Sequence, residues 1–161
     1  RLPAIVLTAS ISDVFRNEAV ERVRDNGNCS SLYKKTVSRL IVIALPIFTI
    51  IYLVSPFAIK LVLGEKWLMS GYFAQVLCIL LFFEFISQPL NSLFYIFVMQ
   101  KIYMRIQFLN SVLGVLVIYA SYKFFEDAKI VLFCFALNSA LFNLICLFFT
   151  YKLSKKVFEK K

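Results

Sequence analysis

Glu84 is the one carboxylate set inside a long uncharged stretch: seventeen uncharged residues precede it (Trp67–Phe83) and sixteen follow it (Phe85–Gln100). Ser87, Gln88 and Asn91 follow at i+3, i+4 and i+7, so on a helix the four share one polar face, with Pro89 placed to bend the helix beside them. If that helix lies in hydrocarbon, a charge near its centre costs roughly 2.5–3.5 kcal/mol on insertion scales, so it faces protein or a wet cavity. Two kinds of chemistry fit. The stripe is either part of a cavity wall, with Glu84 as an ion-coupling carboxyl, or a structural carboxyl that is protonated or paired with a base elsewhere. Ordinary bond-making chemistry has little to work with. There is no His, which removes the commonest general base and metal ligand. Cys78, Cys134 and Cys146 lie in apolar runs and Cys29 in a polar loop. None has CxxC spacing, so neither a metal site nor a disulfide framework is expected, and no cofactor.

Three further groups of polar residues stand out. Gln107, Asn110, Ser111 and Gly114 form one stripe and Asn138, Ser139 and Asn143 another; small and amide side chains of this kind commonly hold membrane helices together. Arg16, Arg22 and Arg24 form a basic cluster. It reads as a topology signal, or as a contact for lipid or an anionic headgroup.

The elements that must position these residues follow from the arrangement of charge. Hydrophobic residues make up 61% of the 161 residues and charged ones 17%, against about 25% charged in a soluble domain. Leu40–Ile59, Trp67–Phe83, Phe85–Gln100, Ile106–Tyr122 and Ile130–Tyr151 carry no charge. A membrane span needs about 20 such residues. Since only Glu84 separates the second and third runs, they read as one helix. The expected fold is an all-α integral membrane bundle of four complete transmembrane helices, at 39–63, 72–99, 106–122 and 130–151, plus the end of a fifth at 1–15. Residues 16–38 read as a basic amphipathic linker, with Phe15, Ala19 and Val23 on the apolar face of a short surface helix and Ser30 or Ser31 capping the helix that follows. Pro46 and Pro56 are expected kink points, Gly64 is the expected stop, and 152–161 is a basic tail.

Orientation follows from Lys and Arg, which accumulate on the cytoplasmic side. The stretch Arg16–Arg39 holds six, the turn at 100–105 two and the tail five, against Lys60, Lys66, Lys123 and Lys129 on the opposite side. Thirteen against four puts the linker, the middle turn and the C-terminus in the cytoplasm. The formal net charge of +9 is then a matter of topology and of attraction to anionic lipids, not of nucleic acid.

The stretch RLPAIVLTASISDVFRNEA, the basic linker ending SLYKKTVSRLIVIALP and the later LVLGEKW together resemble the polysaccharide-export branch of the multidrug/oligosaccharidyl-lipid/polysaccharide exporter superfamily. That family's pattern is met at Arg1 and Pro3, at Ile11 with Val14 and Phe15, at Leu45-Pro46, and at Gly64-Glu65 with Trp67. The family more often has Phe where Leu63 stands and Pro where Arg16 stands.

The resemblance implies a C-terminal part of a two-lobed transporter of about twelve spans, contributing the end of the eighth span and the last four to one lobe. It implies a flippase, not an enzyme, for lipid-linked oligosaccharide of the undecaprenyl pyrophosphate type in the bacterial inner membrane. The partners would then be that lipid, anionic membrane lipids and the missing N-terminal half of the same protein. A cation-coupled multidrug exporter of the same superfamily keeps the fold and changes the cargo. A membrane polysaccharide polymerase or ligase would carry a long outer loop with catalytic Arg or His; here both outer loops are short and His is absent.

Overall fold

The computed structural model describes residues 2–26 and 28–155, with side chains for 11–25 and 28–155. Arg1, Gly27 and the tail beyond Lys155, all part of the sequence reading, lie outside the described residues. Six α-helices account for nearly all of it: α1 (Leu2–Asn26), α2 (Ser30–Leu63), α3 (Leu68–Leu90), α4 (Ser92–Ile96), α5 (Gln100–Phe125) and α6 (Ala128–Ser154), with a 3-10 turn at Glu65–Trp67. No strand occurs among the described residues. Four segments are long and apolar enough to cross a membrane: Ser30–Leu63, Glu65–Ile96, Gln100–Phe125 and Ala128–Ser154. Their outward faces are lined by large apolar side chains such as Leu53, Phe57, Phe108, Val115 and Phe148, all exposed. Such faces are stable against lipid tails and not against water, which makes this a multi-pass membrane protein.

α3 is the central helix, packed on α2 along one side and on α6 along the other, while α5 leans on α6. The densest core lies towards one end of the bundle. There Phe15, Ala19, Leu32, Tyr33, Leu90 and Phe94 pack into one cluster with Cys146 and Leu153. The same end gathers the α1–α2 junction and the C-terminal end of α6. The Cys29 N–H donates to the Ser154 carbonyl (3.2 Å), and Tyr33 Oη to the Leu147 carbonyl (2.8 Å). The first satisfies a carbonyl in the last turn of α6 that the helix itself leaves free, and the second adds a tie to a carbonyl still inside that helix. At the opposite end Lys129 Nζ sits 5.0 Å from the centre of the Tyr72 ring, bringing the start of α6 to the start of α3.

Several boundaries differ from the sequence reading. Residues 16–26 are not a separate surface helix: α1 continues to Asn26, and its stripe of Ile11, Phe15, Ala19 and Val23 packs inward. Helical spacing identifies an apolar face but not what covers it, and here the cover is α3 and α4. Neither Ser30 nor Ser31 caps α2. Cys29 holds the N-cap position with no side-chain cap bond, while Ser31 Oγ accepts from Arg22. The 72–99 helix begins earlier, at Leu68, and is interrupted at Asn91 after Pro89. It ends at Ile96 in a turn where the Val98 N–H donates to the Tyr95 carbonyl (3.2 Å) and the Met99 N–H to the Phe94 carbonyl (2.7 Å). Val98 has φ 55° there, in the left-handed region where this helix-ending motif usually places glycine. Residues 100–105 are therefore not a turn but the start of α5. The next connection shrinks to Glu126 and Asp127, whose Oδ1 accepts from the Lys129 N–H (2.8 Å) and caps α6. Gly64 does end α2, at φ 89°, with its N–H on the Lys60 carbonyl.

Candidate functional site

The polar stripe lies in the second half of the Glu65–Ile96 segment, on the last turns of α3 and at Asn91 just beyond it, and its two edges have different surroundings. At one edge Ser87 is fully buried and its Oγ donates to Asn143 Oδ1 on α6 at 2.5 Å. Asn143 in turn donates from Nδ2 to the Ser139 carbonyl (3.0 Å). Asn91, on the same side and 5% exposed, has a buried Oδ1 with no hydrogen-bond partner among the described residues. Glu84 is half-buried between the edges, and Gln88 at the other edge is exposed. The four predicted residues thus share a face, and that face is divided. Ser87 and Asn91 are taken up by helix packing, whereas Glu84 and Gln88 remain on the open side. Sequence spacing grouped them correctly but could not separate the edges, because the partner that does so is 56 residues away.

Neighbouring polar groups act as inter-helix ties. Asn138 Nδ2 on α6 donates to Asn110 Oδ1 on α5 (3.2 Å), and Gly114 one turn along lets the Phe135 ring approach. Gln107 Nε2 donates to Tyr103 Oη (3.1 Å), whose ring stacks on Phe94 at 5.2 Å. One tie had no counterpart in the sequence reading. Gln75 Nε2 on α3 donates to the Tyr52 carbonyl on α2 (2.8 Å), the carbonyl that Pro56 leaves without its i+4 N–H. Only the tertiary placement of Gln75 one turn below Pro56 creates this bond, so no local motif announces it.

The basic cluster does not converge. Arg22 is held by Glu18 Oε1 (3.0 Å) and Ser31 Oγ (3.2 Å), which fastens α1 to the start of α2. Arg24 pairs with Asp25 at an exposed position, and Arg16 is exposed on another side of the helix. At about 3.6 residues per turn the three point in different directions and form no single anion cradle. Cys29 lies in the connection between α1 and α2, as the sequence indicates, but it is not exposed there. It is fully buried, and burial pushes its pKa from 9.0 up to about 11, against a smaller downward pull from its own backbone N–H and the Arg22 charge. Among the described residues no group of three or more His, Cys, Asp or Glu side chains is placed to hold a metal ion.

No curated protein and no solved structure matches the chain. Residues 1–72, from α1 through α2 to the first residues of α3, match the family model described as "Polysaccharide biosynthesis protein", and in that stretch the chain is similar to that family.

Proposed function

We propose that this chain is part of a flippase that moves lipid-linked oligosaccharide, of the undecaprenyl pyrophosphate type, across the bacterial inner membrane by alternating access. The match of residues 1–72 to polysaccharide biosynthesis proteins carries the reading. Four apolar spans and a half-buried carboxylate within one of them support it. On this reading the chain is a C-terminal portion of a two-lobed exporter and not an enzyme, and it needs no cofactor. Its partners are the lipid-linked substrate, anionic membrane lipids and the N-terminal portion of the same exporter. Nucleic acid has no part in it, and the basic asymmetry puts the α1–α2 junction and the C-terminus in the cytoplasm. Glu84 and Gln88 face the transport pathway from the open edge of α3, while Ser87 and Asn91 hold that helix against its neighbours.

The test is made in the full-length protein. Cells lacking it should keep lipid-linked repeat units on the inner leaflet, and Glu84→Gln at normal membrane abundance should reduce surface polysaccharide. Repeat units that still reach the outer leaflet in the deletion strain would refute the flippase. Wild-type export from both Glu84→Gln and Glu84→Leu, at equal protein level, would leave the flippase standing and reduce Glu84 to packing.

A further inference from the structure

A groove of about 420 Å³ runs between the first turns of α2 and the end of α6, lined by Lys34, Val37, Ser38, Ile41, Val42 and Tyr151. Its composition changes along its length. Lys34 and Ser38 come first and Ile41 and Val42 follow, so over two helical turns, about 12 Å, the lining passes from charged to apolar. That is the profile of a phospholipid lying across the membrane–water boundary.

The wall is fixed. Tyr33 Oη is within hydrogen-bond distance of the Leu147 carbonyl (2.8 Å) and Thr150 Oγ1 (3.1 Å), and its ring packs on Tyr151 at 5.8 Å. The polar end is cationic. Lys155 Nζ lies 4.4 Å from the centre of the Tyr151 ring and Lys152 Nζ 4.5 Å from that of Phe148. Among the described residues the ion pairs are Arg22–Glu18, Arg24–Asp25 and Lys60–Glu65, and none involves Lys34, Lys152 or Lys155. Lys34 and Lys155 thus stand beside Tyr151 at the mouth of an apolar groove, and among the described residues no ion pair holds either of them.

We propose that this groove is a binding site for one anionic phospholipid of the surrounding leaflet. Its phosphate lies at Lys34 and Lys155, and one acyl chain runs over Val37, Ile41 and Val42. A zwitterionic lipid carries its own cation, which these lysines repel, so the site selects by charge as well as by shape. Each lysine near the headgroup contributes roughly fivefold in affinity. The inference stands apart from what the protein transports, since it concerns a resident lipid and not the cargo.

Native mass spectrometry of the full-length protein, exchanged with phosphatidylglycerol and phosphatidylcholine of identical chains, reads the site directly. Phosphatidylglycerol should be retained at least fivefold better. Lys34→Gln with Lys155→Gln should remove that preference, and Lys66→Gln with Lys123→Gln, the same loss of charge at the other end, should leave it. Wild-type protein loaded with phosphatidylglycerol carrying a photoactivatable acyl chain should be labelled at Ile41, Val42 or Tyr151, a readout that needs no variant to fold. Equal retention of the two lipids, a preference that survives the double substitution, or labelling confined to the exposed face of α5 would each overturn the proposal.

Discussion

Gly71 on α3 and Pro56 on α2 meet so closely that a Cβ built on the glycine would lie 2.6 Å from Pro56 Cα. One turn further along the same face of α3, Gln75 donates to the Tyr52 carbonyl, which has no helical donor because Pro56 has no N–H. The two contacts work together. The missing side chain at Gly71 brings the helices close enough for Gln75 to reach the backbone of α2, and α2 runs unbroken through Pro46 and Pro56.

Gly71→Ala should therefore destabilise the protein although alanine is the better helix former. The propensity gain is about 1 kcal/mol. The clash is with backbone, which cannot rotate away, and overpacking of this kind costs about 1–3 kcal/mol. Gly114→Ala is the control. Its Cβ would press only on the edge of the Phe135 ring, at 3.3 Å, which can shift, and would make an ordinary contact with Asn138 Nδ2 at 3.8 Å. Thermal melting of the full-length protein in detergent should show a clear loss for the first variant and little change, or a gain, for the second. A neutral Gly71→Ala would mean that the two helices are not this close.

Gln75→Leu should cost roughly 0.6–1.7 kcal/mol, the range for a hydrogen bond between membrane helices. The same substitution should cost less where Pro56→Ala has restored a backbone N–H for Tyr52. A double-mutant cycle on the melting data isolates the coupling, and additive effects would show that Gln75 does not serve that carbonyl.

Contacts of this sort mark where the sequence stopped being legible. Uncharged runs located the spans, and Gly64 located the end of α2, because both signals are local. The Phe15–Ala19–Val23 stripe was visible by its spacing, yet its burial under α3 and α4 depends on residues far along the chain. The separation of Ser87 from Gln88 likewise depends on Asn143. Val98 hid the end of α4 for a different reason: a β-branched residue at φ 55° goes against local preference, so nothing in the stretch FVMQ signals a turn.

That strain is open to relief. Val98 is 75% exposed, so its side chain contributes little packing, while holding a branched residue in the left-handed region costs about 1–3 kcal/mol. Val98→Gly should raise the melting temperature, and Val98→Asn should do so less, asparagine tolerating this region better than valine does. A fall for both would show that the branched side chain is needed at the turn between α4 and α5.

Cys29 should be slow to alkylate. Its pKa near 11 instead of 9.0 lowers the thiolate fraction at pH 8 about a hundredfold, and burial adds a steric barrier. The sign for stability follows. The neutral thiol is favoured in the folded state, so its contribution is intact below pH 9.0 and is lost as the pH rises through about 11. Mass-spectrometric mapping after a short maleimide pulse should find Cys29 unmodified in the folded protein and modified after unfolding in denaturant. Rapid labelling of the folded protein would show that the α1–α2 junction opens away from α6.

The bond between Ser87 and Asn143 links the candidate site to the bundle. It joins two membrane-spanning segments and holds the packed edge of α3, beside the open edge that carries Glu84, against α6. Ser87→Ala leaves Asn143 Oδ1 without its donor, and Asn143→Leu removes the acceptor and leaves the Ser87 hydroxyl to the Glu84 carbonyl of its own helix (3.3 Å). Each should lower stability by about 0.6–1.7 kcal/mol. The double variant should cost clearly less than the sum of the two, because once the bond is gone the second change removes nothing further. The effect on export should follow a different rule. If Ser87 only fixes the helix while Glu84 acts in the pathway, Ser87→Ala should lower export in proportion to protein abundance. Glu84→Gln should lower export with abundance unchanged. Export per molecule that falls equally in both variants would place Ser87 in the pathway beside Glu84 and overturn the division of the stripe into a packed edge and an open one.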